Sequence, residues 1–178
     1  MPILGVAAAA VLALAAPLDS RAEVVGEYDV KGALISNFAK FIEWPADSFD
    51  AVDSPLVICV EGDGPLESGL AATINRAHAG GRPLRAQRFH GSPRCHMLFV
   101  GASELKQLPA IVASVGARTV TVGEQVQFLQ SGGAIEFRTE SNRLQFDVNL
   151  RVITRAQYRI SSKLLALARP VDVTASRP

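Results

Sequence analysis

Histidine, cysteine and net charge are all scarce in this chain, and each scarcity removes a class of function. Its 178 residues carry 18 Lys and Arg against 17 Asp and Glu, a formal net charge of +1. The signs are interspersed, so there is no polybasic footprint for nucleic acid or anionic lipid. The histidines, His78, His90 and His96, lack acidic or thiol partners at metal-ligand spacing, apart from Cys95 beside His96. Adjacent strand residues point to opposite faces, so Cys95 and His96 converge neither on a metal nor as nucleophile and base. No G-x-S-x-G elbow occurs; Gly101-Ala102-Ser103 comes nearest, with Leu105 where the closing glycine belongs. Gly62-Asp63-Gly64 lacks the third glycine of a dinucleotide fingerprint, and the carboxylate of Glu67 in its place opposes a pyrophosphate. The sequence thus predicts no metal, no cofactor and no catalytic cluster.

Long hydrophobic runs are equally few. Ile3 to Ala16 is charge-free and rich in Ala, Leu and Val, the length of a signal-peptide core and too short for a comfortable membrane span. Ser20-Arg21-Ala22 offers small residues for cleavage before Glu23, although no Lys or Arg precedes the apolar core. Residues 1–22 are therefore expected to be an export signal, leaving one soluble domain over 23–169 and a loose tail over 170–178. In an oxidising compartment Cys59 and Cys95 are expected to pair, with two buried free thiols as the alternative. Each lies in or beside an apolar run, LVICV and CHMLFV, and two neighbouring strands would bring them together. Closing that loop is worth roughly 3–4 kcal/mol in the chain-entropy model.

What is present begins with Glu27 to Pro45, EYDVKGALISNFAKFIEWP. At helical pitch Val30, Leu34, Ile35, Phe38, Phe41 and Ile42 share one face, and Asp29, Ser36, Lys40 and Glu43 the other. Pro45 biases Trp44 out of the helical region, so the helix is expected to stop there. Lys31 lies inside the apolar arc and Asn37 at its edge. Either Lys31 snorkels and Asn37 is hydrogen-bonded, or both face a groove shared with a ligand or partner. Trp44 reads equally as a core plug and as an interface anchor.

Further on, Leu56–Val60 and Met97–Val100 read as strands buried on both faces, and 84–89 as a weaker, peripheral strand. Helices are expected over 65–77, 104–115 (shortened or kinked by Pro109), 125–130, 151–158 and from Ser161-Ser162 through Ala168. A strand over 118–122 and a hairpin pairing 134–138 with 144–149 complete the pattern. Asp147 and Glu136 read as solvent-facing hairpin positions. Arg155, Arg159 and Lys163 recur at helical spacing, either as a solvated face or as an anion or partner site. The fold class is a single three-layer α/β domain, a mixed β-sheet flanked by helices with a C-terminal β-hairpin.

Asn37-Phe38-Ala39-Lys40-Phe41-Ile42-Glu43-Trp44-Pro45 resembles a hallmark run of the YfiR-like family. Cys95 to Val100, Gly132 to Ile135, Asn142 to Asn149 and Arg159 to Leu165 resemble further motifs of that family, in the same order. The resemblance spans about Glu27 to Ala168. It implies a periplasmic, non-enzymatic repressor that binds the periplasmic sensor domain of an inner-membrane diguanylate cyclase. Such a protein lowers cyclic di-GMP and restrains biofilm formation. An outer-membrane lipoprotein partner and a homodimer are further expectations from the resemblance. The alternative is a small-molecule sensor whose pocket is lined by Lys31, Asn37 and Arg159. Candidate partner or ligand residues are thus Lys31, Asn37, Trp44, Arg159 and Lys163. Some family members carry a second cysteine pair near the hairpin; this chain has none there, and switching through that pair does not carry over.

Overall fold

The computed structural model describes residues 20–171 apart from 92–93, 117 and 142, and no side chain of 20–25, 64, 65 or 170. Most of the expected signal segment and the tail beyond Val171 lie outside the described residues. Ser20 to Ala22 form the first turn of helix α1 (Ser20–Phe41). This helix ends earlier than Pro45 alone suggests, because Ile42–Glu43 turn into a short strand, β1.

Strand β2 (Leu56–Glu61) follows, then α2 (Gly64–Ile74) with Pro65 in its first turn, where the missing N–H costs nothing. Strands β3 (His78–Ala79), β4 (Arg82–Arg88) and β5 (Met97–Val100) lead to α3 (Leu108–Ser114). Pro109 opens α3 instead of kinking it, and 102–104 form a separate 3-10 turn. Strand β6 (Val120–Gly123) and the hairpin β7 (Ile135–Glu140) and β8 (Arg143–Asn149) come next. Helix α4 (Leu150–Arg155), capped by the Asn149 side chain, is shorter than expected and gives way to β9 (Arg159–Ile160). Ser161 caps α5 (Ser162–Leu165), and β10 (Arg169–Val171) closes the fold. The tail was expected to be loose from Pro170, but residues up to Val171 pair in parallel with β8.

The main sheet is mixed, in the order β10-β8-β7-β6-β5-β2-β4-β3, and β1 pairs with β9 in a separate two-stranded ribbon. β4, β2, β5, β6 and β7 are mutually parallel. Chain order reverses direction between β2 and β5, the doubly wound arrangement. Ile58, Val60, Met97, Phe99, Val120, Val122, Ile135 and Phe137 face a core completed by α1, α2, α4 and α5. Cys59, Leu98 and Val100 face the other way, onto α3, Phe128 and Leu129. The three-layer reading holds.

Three expectations fail for identifiable reasons. Val30 is 52% exposed, and Ser36 is buried, its hydroxyl donating to the Gly32 carbonyl. The buried arc of α1 is thus rotated towards Lys31, Gly32, Ile35, Ser36 and Ala39. Residues 125–130 form turns and not a helix: Gln127 has φ +69°, and buried Gln125 donates to the Val100 and Gly101 carbonyls. Asp147 is buried, accepting from Arg138 Nε at 2.9 Å and from Arg169. Because β10 and these arginines cover that face of the hairpin, Asp147 is not solvent-facing.

Candidate functional site

The carboxyl ends of β2 and β5 are where a doubly wound sheet ordinarily receives a ligand. Here Leu66, from the first turns of α2, fills the crevice. A Cβ added at Gly62 or at Gly101 would lie 2.9 Å from the Leu66 Cδ2 methyl. Glu61 stands beside it, its pKa raised by burial and by the charge of Glu104. The methyl occupies the place a phosphate would take, and the rim mixes Glu61 with Arg88, which donates to the Gly62 carbonyl.

One strand along, Lys31 reaches from α1 to Glu124, the residue after β6. The Lys31 ammonium is buried and bonds Glu124, and it lies 2.5 Å from Glu27 Oε1 and 4.9 Å from the Tyr28 ring centroid. Burial alone would depress its pKa, but the hydrogen bonds and charges of Glu124 and Glu27 outweigh that and raise it. A cavity of about 250 Å³ beside it is lined by Tyr28, Glu124, Arg138 and Leu144 among others, and by neither Asn37 nor Arg159. Lys31, Asn37 and Arg159 thus do not share a described pocket.

The remaining candidates gather at the other end of α1. Trp44 is half-buried: its indole N–H donates to the Ala39 carbonyl at 2.8 Å, and its ring meets Tyr158 edge-on at 5.0 Å. Trp44 thus packs against the fold as a plug that is only partly covered. Glu43 lies opposite Arg159 in the β1–β9 ribbon, and the Ser161 amide donates to the Phe41 carbonyl at 2.9 Å. These contacts bring β9 and α5 against the end of α1. Asn37, Lys40, Arg159 and Lys163 are all exposed there. Arg155, Arg159 and Lys163 belong to α4, β9 and α5 respectively, and not to one helix. Among the described residues, Lys40, Arg155, Arg159 and Lys163 pair with no carboxylate.

At the amino ends of β5 and β6 lies a groove of about 440 Å³, walled by Asp47, Arg94, Cys95, His96, Arg118 and Tyr158. Cys59 in β2 and Cys95, two residues before β5, are joined as expected, with Cα atoms 5.7 Å apart; Cys95 lies outside the strand, and Cys59 itself stands opposite Leu98. Among the described residues no group of three His, Cys, Asp or Glu side chains is placed to hold a metal.

A family model described as YfiR/HmsC-like matches residues 28–169. The chain belongs to the YfiR/HmsC-like family. That family is periplasmic and regulatory in character, and is associated with membrane diguanylate cyclase systems. No curated protein matches the chain. No helix among the described residues of this YfiR/HmsC-like chain is long and apolar enough to cross a membrane. Four residues that hold the fold together escaped sequence reasoning: Glu124, Asp147, Asn149 and Tyr158. Asp147 alternates with Phe146 and Val148 and so reads as the wet side of a strand. Glu124 and Tyr158 carry no local pattern at all.

Proposed function

We propose that this protein represses a membrane-anchored diguanylate cyclase by docking on its periplasmic sensor domain through the end of α1. The observation that carries the reading is the group of exposed cations there, Lys40, Arg159 and Lys163, unpaired among the described residues, near half-buried Trp44 and exposed Asn37. Solvated cations of one sign steer an acidic partner, and a partly covered Trp supplies an anchor. Binding the off state more tightly than the on state shifts the receptor's population, lowering cyclic di-GMP and biofilm formation. Export with cleavage after Ala22 delivers the domain to that compartment. An outer-membrane lipoprotein that competes for the protein, and a homodimeric state, follow from the family resemblance and not from a geometric feature of this chain.

The test is titration of the purified periplasmic domain of a diguanylate cyclase from the same genome with wild-type protein and with Arg159→Glu/Lys163→Glu. Affinity is expected to fall at least tenfold in the variant and to weaken with salt, while circular dichroism stays unchanged. Equal affinity of both proteins removes this surface, and unchanged cyclic di-GMP after gene deletion removes the repressor reading.

A second reading, a non-catalytic small-molecule sensor, is favoured by the 440 Å³ groove with its two arginines. It predicts a rise in melting temperature with a metabolite, abolished by Arg118→Ala. A broad screen without any shift leaves it unsupported.

A further inference from the structure

His96 occupies an unusual position in the sheet. Its backbone N–H donates to the Val57 carbonyl at 2.9 Å, extending the β2–β5 ladder by one residue, while its own ring accepts the Val57 N–H at 3.0 Å. The ring nitrogen Nδ1 thus stands where a strand carbonyl would. Its other nitrogen, Nε2, lies 3.0 Å from the Ser48 carbonyl. A backbone amide can only donate and a carbonyl can only accept, so the ring must be neutral with its hydrogen on Nε2. One imidazole therefore ties the start of β2 to the 45–50 segment. Phe49 stacks on the ring at 4.7 Å and Trp44 meets it edge-on at 5.8 Å. Arg82 covers the Phe49 ring, 3.8 Å from its centroid.

We propose that His96 is a pH-sensitive clamp, in which protonation breaks the ring's bond to β2 and loosens the aromatic cluster that holds Trp44. A proton on Nδ1 would point at the Val57 N–H, donor against donor, so the two states cannot share one geometry. The charged groups around the ring set its direction of escape. Arg82 on β4 repels an imidazolium, as do Arg94 and Arg118 on the groove wall. Asp47 and Asp50 attract it, and both sit on the 45–50 segment, paired with those two arginines by exposed ion pairs. Tyr158 adds a phenol engaged with the Arg118 carbonyl, its pKa raised by burial, and stays neutral across the acid range. A charged ring accordingly leaves β2 for the groove, on the side of the two aspartates.

The sign of the effect is fixed. Burial, and then Arg82, push the His96 pKa below its ordinary 6.5, against the pull of the Ser48 carbonyl and Asp50. The contribution of the clamp is complete above 6.5 and is lost as the pH falls towards the folded value. Exterior acid reaches a protein outside the inner membrane directly. Where the clamp bears on docking, it rests on the surface proposed above, whose anchor is Trp44.

Trp44 is the only tryptophan and reports on the clamp without a label. The isolated protein is titrated from about pH 7.5 to about pH 5, above the ordinary carboxylate range. Wild type should lose Trp44 emission with a midpoint below 6.5 while far-ultraviolet dichroism stays constant. His96→Gln, whose amide can accept from Val57 and donate to Ser48 without titrating, should show no transition. A flat wild-type curve, or the same curve in His96→Gln, overturns the proposal. Should that variant not fold, long-range imidazole NMR of the wild type decides. The Nε2–H tautomer titrating in step with Trp44 supports the clamp; an Nδ1–H tautomer, or emission that moves without the ring, overturns it. Because no partner is present, these readings stand or fall apart from the docking surface.

Discussion

Lys31 and Glu124 form an ion pair across the gap between α1 and the carboxyl edge of the sheet, their side chains only 5% and 9% exposed. Glu124 also accepts the Ala102 amide at 2.8 Å, so one carboxylate joins α1 to the ends of β5 and β6. Removing a single partner strands a buried charge. Lys31→Met is expected to cost about 3–5 kcal/mol in urea unfolding. Lys31→Met/Glu124→Leu should be less damaging than the sum of the single variants, since no buried charge is left unpaired; Glu27, which also loses Lys31, is 55% exposed. Additive losses would show that the two do not act as a pair.

The Cys59–Cys95 bridge lies in the smaller core, with Cys59 fully buried and Cys95 nearly so. It closes a loop of 36 positions between β2 and the segment that leads into β5. Reduction, or Cys59→Ala/Cys95→Ala, should cost roughly 3–4 kcal/mol by loop entropy. In calorimetry that corresponds to a melting point about 10 °C lower for a domain of this size. The reduced protein should also lose its hold on the proposed receptor. Equal melting with and without reductant would assign the stability to packing alone.

Elements whose pattern is local were legible in the sequence. The apolar runs at β2 and β5, the hairpin across Ser141 and the Ser161 cap all appear where their residues predict them. Features set by tertiary neighbours were not. Lys31 was visible as a misfit, but its partner Glu124 is 93 residues away. Val30 broke the amphipathic pattern because α1 packs on α2 as well as on the sheet, which turns its buried arc away from the sequence-derived face. The short ribbon of β1 and β9 has too few residues for any periodicity to announce it.

Asp147 is the buried hinge-pin of the hairpin, held by Arg138 on β7 and Arg169 on β10. Asp147→Asn keeps the shape and removes the charge from both contacts. The expected loss is about 1.5–3 kcal/mol, the range for hydrogen bonds to charged groups. Because Arg169 begins β10, the Val171 amide should exchange with solvent faster than in wild type while the β7–β8 amides keep most of their protection. Uniform loss across the sheet would mean that Asp147 supports the hairpin itself and not the docking of β10.

Phe128 explains why two glycines bracket the irregular segment after β6. A Cβ added at Gly123 or at Gly133 would each fall 2.2 Å from the Phe128 ring, on its opposite edges. The ring is fully buried and so has nowhere to move. A tertiary contact, and not only a chain break, thus requires Gly133. Gly133→Ala should destabilise the protein by roughly 1–3 kcal/mol through overpacking. Phe128→Leu alone should also destabilise, through the space it vacates. Combined, the two should offset one another only in part, since the smaller side chain clears the ring contact but leaves the Phe128 carbonyl 2.7 Å from the new methyl. A double variant as unstable as the sum of the singles would show that Gly133 is needed by the Phe128 carbonyl and not by the ring beside it.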